Sequence, residues 1–130
     1  MISSKIAANI LIGLITLVIL FHISVIVKLI PFEIVWGGQI TTEQEMYLFE
    51  VVSILINALL LLTILIKVNY ITLSIPLKVV DVILWVFVWL FLINTVGNLF
   101  AETYIEKSFS LLTLVFSFLI WRIVRDGKSE

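Results

Sequence analysis

The chain has 130 residues, 62% of them hydrophobic, a mean hydropathy of +1.27, a formal net charge of -1 and no cysteine. Without cysteine there is no disulfide, no thiolate catalysis and no zinc or iron–sulfur centre held by sulfur. One compact bundle is all that such a length and composition permit, with no soluble catalytic module beside it.

Apolar runs at 6–30, 47–66, 79–101 and 109–124 follow one another. Each is about the length that crosses a hydrocarbon core roughly 30 Å thick at about 1.5 Å per helical residue. The first run is read as a retained span, because it is longer than a signal-peptide core and ends without a small-x-small cleavage site. Pro31 ends that helix, and Trp36-Gly37-Gly38 reads as a turn with an indole at headgroup level. Thr42 and Glu45 form a capping box that opens the second helix, which Lys67 and Asn69 close. Ser74 reads as the N-cap of the third helix, with Pro76 in its first turn. Thr103 and Glu106 repeat the capping box before the fourth, and Asp126-Gly127 closes it. The expected helices cover about 5–30, 43–67, 75–101 and 104–125.

Charge placement sets the expected orientation. Lys5, Lys67, Lys78, Arg122, Arg125 and Lys128 fall at one set of span ends, against Lys28 and Lys107 at the other. The bias predicts a cell-membrane protein with both termini cytoplasmic. The opposite side gathers Glu33, Glu43, Glu45, Glu50, Glu102 and Glu106, a rim that disfavours nucleic acid and suits cations or neutral lipophiles. The predicted fold class is therefore all-α, an integral membrane four-helix bundle, antiparallel up-down and N-in/C-in, with lipid around it.

Helical spacing then sorts the polar residues within the spans. Glu43, Glu50 and Asn57 recur every seven residues with Ser53 beside them, so they share one stripe. Asn94, Asn98 and Glu102 follow at intervals of four, next to Gly97 and Ala101, which allow close helix contact. His22 lies about 12 Å below Pro31 by helical rise, at a depth like that of Asn94. His22, Glu50, Asn57, Asn94, Asn98 and Glu102 are thus expected to line one outward-facing cavity, where a histidine with a carboxylate is the minimal equipment for moving a proton. The asparagines read equally well as interhelical glue worth about 0.6 kcal/mol each. Asp81 and Arg122, at comparable depths on neighbouring helices, are expected to form a structural ion pair, with Trp85 over it and Lys78 competing. Asn9, Gly13, Thr16 and Ser24 on the first helix, and Ser110, Thr113 and Ser117 on the fourth, read as packing faces. No metal site and no cofactor are expected.

Val27-Lys28-Leu29 closing the first span, Phe49-Glu50-Val51 opening the second, and four spans in this length resemble the DoxX-like small membrane proteins. The placement of His22 and Glu50 is similar to that in the sterol-isomerase and sigma-2-receptor superfamily, which implies a bundle holding lipophilic ligands over buried acids. The chain departs from both patterns: residues 53–62 contain no glycine, and no second acid within the spans matches the sterol-isomerase pattern. The leading functional expectation is a cavity that binds a lipophilic or cationic small ligand, without a defined catalytic activity. The alternatives are an accessory subunit that packs against a membrane-protein partner, and an oligomeric channel or transporter. A parallel homodimer through Gly97 and Ala101 fits the same sequence.

Overall fold

The computed structural model describes residues 2–36, 40–101 and 103–126, which are helical or in connecting turns, with no strand among them. The helices are α1 (Ser4–Ile26), α2 (Phe32–Trp36), α3 (Glu43–Lys67), α4 (Leu77–Leu99) and α5 (Tyr104–Asp126). Four of them are long and apolar enough to cross a membrane. The expected turn at Trp36-Gly37-Gly38, the site residue Glu102 and the stop at Gly127 lie outside the described residues, as does the Trp36 side chain.

Both predicted capping boxes are made. The Thr42 hydroxyl accepts from the Glu45 amide at 3.1 Å, and Thr103 accepts from the Glu106 amide at 3.1 Å. These bonds satisfy amides that the first turn of a helix leaves without partners. The first helix stops four residues before the expected boundary. Lys28 takes a left-handed conformation, φ 66°, its amide bonded to Val25 O and that of Leu29 to Ser24 O. This Schellman closure spends the last carbonyls of the helix, and the following proline disfavours helical geometry at Ile30. Asn69, φ 65°, closes α3 in the same way, with its amide on Ile66 O and that of Tyr70 on Leu65 O. At α4 the N-cap is Pro76 rather than Ser74, and no side chain caps it. The short α2, absent from the sequence reading, starts directly after Pro31.

Cross-helix contacts fix an alternating arrangement. Near one end Tyr70 Oη donates to Asn9 Oδ1 at 2.6 Å, and Arg122 Nε donates to Ile2 O at 2.9 Å. Higher up, the Thr95 and Thr113 hydroxyls meet at 2.8 Å, and Ser117 donates to Val88 O at 2.9 Å. α4 packs along α5, α1 packs on both α3 and α5, and α3 meets α4 more sparsely. Ser117 and Thr113 thus join α4 to α5, in keeping with the packing role expected of them. Gly13 and Thr16, by contrast, are exposed.

The bundle is filled unevenly. The terminal end, which carries residues 4, 67, 77 and 126, has a continuous core that includes Leu11, Ile15, Leu60, Ile64, Leu84, Phe87, Ile120 and Ile123. The far end has a smaller cluster of Val25, Val35, Ile40 and Met46, in which α2 lies across the helix ends. Thr103 Oγ1 donates to Ile34 O at 2.7 Å and ties α2 to the start of α5. On the outside, apolar side chains such as Ile93 and Leu111 are 67% and 68% exposed. Such a surface would cost nothing in hydrocarbon, where a core gains by close van der Waals fit rather than by escape from water.

The left-handed closure of α3 gives a direct check. Replacing Asn69 with Gly should leave stability unchanged or slightly raised, whereas Asn69→Val should lower it by about 1–2 kcal/mol, read by unfolding in mixed micelles.

Candidate functional site

Glu50 has no exposed surface, and its Oε2 lies 2.5 Å from Nδ1 of His22. Glu50 projects from the second turn of α3 and His22 from the last two turns of α1, so the bond joins two antiparallel neighbours. The proton between them can be drawn on either group, and the contact is a hydrogen bond in both cases. Burying a carboxylate without such a partner is expensive, and the pairing explains why Glu50 is tolerated there. The structure brings these two residues together.

Beside this pair is a cavity of about 690 Å³ bounded by α1, α3, α4 and α5, with Val35 of α2 at its edge. His22, Asn57, Asn94 and Asn98 border it, and Phe21, Phe91, Phe109 and Phe116 supply much of the apolar wall. Glu50 does not border it. The carboxyl group stands behind the imidazole, on its Nδ1 side. No hydrogen bond to Nε2 of His22 is formed among the described residues. Asn57, 7% exposed, donates from Nδ2 to Ser53 O at 2.8 Å, while its buried Oδ1 has no partner. Asn94 and Gly97 are exposed as well as lining, and a Cβ added at Gly97 would meet nothing within 4 Å. The close helix contact expected at Gly97 is therefore not made within the chain, and the cavity is open on that side.

Glu106 is the lining residue that sequence reasoning missed. It is 4% exposed and borders the cavity. The Thr103 hydroxyl divides its one proton between Ile34 O at 2.7 Å and Glu106 Oε1 at 3.1 Å, and Oε2 has no hydrogen-bond partner among the described residues. Its capping-box position explained it fully from sequence. The remaining signal was its spacing from Phe109, Thr113 and Phe116, which puts it on their face.

At the terminal end the structure differs from the expected ion pair. Asp81 Oδ1 is bonded by Lys67 Nζ at 2.6 Å, and the Lys67 side chain is only 7% exposed. The short connection from α3 to α4 places the last turn of α3 beside the second turn of α4, ahead of Arg122 and Lys78. Arg122 instead reaches the N-terminal segment, because α5 packs on α1. At the far end Lys28 and Glu43 pair at 2.8 Å in full view of solvent. The hydrogen bond to Glu43, and then its charge, raise the Lys28 pKa above the ordinary value. That contribution is present at neutral pH and is lost only as pH climbs through the raised lysine value.

Neither protein-family models, nor curated protein sequences, nor solved structures give a match to this chain. The residues and their geometry carry the functional reading.

Two double-mutant cycles follow. Lys67→Met with Asp81→Asn should show coupling of about 1–3 kcal/mol in unfolding experiments, while Asp81→Asn with Arg122→Gln should be additive to about 0.5 kcal/mol. Glu50→Leu alone should cost about 3 kcal/mol or more, and adding His22→Leu should recover part of it, because no lone polar partner then stays behind.

Proposed function

We propose that this chain is a multi-pass cell-membrane protein whose cavity binds a lipophilic small molecule with a polar head. The observation that carries the reading is the mixed lining of one space: His22, Asn57, Asn94, Asn98 and Glu106 on a wall otherwise made of aliphatic and phenyl groups. Small-molecule sites commonly occupy about 300–1,000 Å³ and combine an apolar wall with a few convergent polar groups. At about 690 Å³ this cavity falls within that range. Polar groups at membrane depth cost several kcal/mol without partners, so a set of this kind favours water or a guest with its own polar atoms. The opening beside Gly97 and Asn94 lies among exposed apolar residues such as Ile93 and Val96, a route by which a molecule dissolved in the bilayer would enter.

Orientation follows from the cationic residues. Lys5, Lys67, Lys78, Arg122 and Arg125 gather at the terminal end, which we assign to the cytoplasm, and the cavity then faces the outer leaflet. The chain presents no reaction on this account. His22, oriented by Glu50, offers one ring nitrogen to a guest as hydrogen-bond donor or acceptor.

Filling the space tests the reading. Phenylalanine at position 97 has room to grow into the cavity, so Gly97→Phe should fold with unchanged stability. In lipid nanodiscs it should weaken saturable binding of 1-decanol by about tenfold or more relative to the parent chain. Equal binding by the two proteins would remove the cavity as the site. Separately, cysteines placed at Gln39 and Ser74 in this cysteine-free chain should differ in sealed cells, with an impermeant thiol reagent labelling position 39 alone.

A further inference from the structure

Among the described residues, the ionisable groups bordering the cavity are His22 and Glu106, and His22 is already paired. Nδ1 of His22 already faces a carboxylate, Glu50, at 2.5 Å. Any positive charge on that imidazole is therefore matched before Glu106 is considered. Glu106 is thus a carboxyl group at a wall whose one imidazole is already taken by Glu50.

The cations that could neutralise Glu106 are engaged elsewhere. Lys107, its neighbour in sequence, lies 5.7 Å from the centre of the Tyr104 ring, and Lys28 is paired with Glu43. Thr103 shares its one hydroxyl proton between Glu106 and Ile34 O, and the first turn of α5 adds the favourable end of the helix dipole. These hold a carboxylate in place without cancelling its charge. Its Oε2 accepts no hydrogen bond among the described residues, although the side chain is 96% buried, the complement of its 4% exposure. A buried carboxyl group with one oxygen unbonded, on the wall of an open cavity, is complementary to an amine, with which it can share a proton as an ion pair. Phe109, one turn of α5 below it, and Phe116, about three turns below, continue the same face, with Phe91 across from Phe116 at 5.2 Å between ring centres. The space thus has an anionic end near α2 and an aromatic end deeper in the bundle.

We infer that the guest is a lipophilic cation, whose protonated amine donates to the Glu106 carboxylate while its apolar body lies against Phe91, Phe109 and Phe116. The inference rests on the reading of this cavity as a ligand site, and it makes Glu106, rather than the more deeply buried Glu50, the binding carboxylate. His22 and Glu50 then form a neutral or self-compensated wall opposite the amine. An aromatic lining is compatible with a cation as well as with its hydrocarbon part.

The full chain in lipid nanodiscs decides the matter with two probes of equal chain length, N,N-dimethyldecylamine and 1-decanol, each corrected for partition into empty nanodiscs near neutral pH. The parent chain should bind the amine about tenfold or more tightly than the alcohol, as expected for a charge-assisted bond in a buried site. Glu106→Gln keeps the capping geometry, since glutamine serves at that position, and should lose that preference. Equal affinity for the two probes in the parent chain, or an undiminished preference in Glu106→Gln, overturns the inference. Saturable binding of the alcohol alone overturns it and leaves the cavity reading standing, whereas binding of neither probe removes both. Should Glu106→Gln fail to fold, the ratio of the two probes in the parent chain decides by itself.

Discussion

A carboxyl group with no exposed surface, that of Glu50, is the constraint around which the bundle is arranged. An isolated charge at such a position would be costly, because the interior of a continuous helix has no spare backbone donors to repay its desolvation. The imidazole of His22, 2.5 Å away on α1, meets the requirement. That bond fixes the register of α1 against α3 and so decides which side chains of both helices point inward. It also consumes one nitrogen of the imidazole and leaves the ring edge along the cavity.

From this level the bundle divides. Toward the terminal end the helices close on an apolar core and are pinned by Lys67 to Asp81, Tyr70 to Asn9 and Arg122 to the backbone of Ile2. Toward the far end α4 stays on α5 through hydroxyl contacts, while α3 and α4 are in sparser contact and the space between them opens. A bundle in lipid can sustain such an opening, because hydrocarbon outside offers no strong drive to collapse it. The proposed function rests on this contrast between a filled end and a hollow one.

Much of this was legible in the sequence. Run lengths gave the four long helices, because a span must reach across hydrocarbon with every backbone group satisfied within itself. Seven-residue spacing placed Glu50 and Asn57 on one stripe, and both are buried; the interval of four between Asn94 and Asn98 put both at the cavity. Helix ends were read less well at α1, where local closure by a left-handed Lys28 pre-empts the proline. Depth alone could not choose between Lys67 and Arg122 as the partner of Asp81, since both lie near the same end and only helix adjacency separates them. Glu106 was hidden by a complete local explanation: a residue that caps its own helix need not be asked whether its side chain also faces a cavity. Glu102 lies outside the described residues, so its expected place in the site has no structural counterpart here.

The most direct measurement is an experimental structure of the chain in a lipid nanodisc, determined with a saturating lipophilic amine. The account predicts compact density between α3 and α4, bordered by His22, Asn94 and Glu106 and reaching the phenyl rings of Phe91 and Phe116. Closure of α3 onto α4 with these side chains packed against one another, and no density between them, would contradict it.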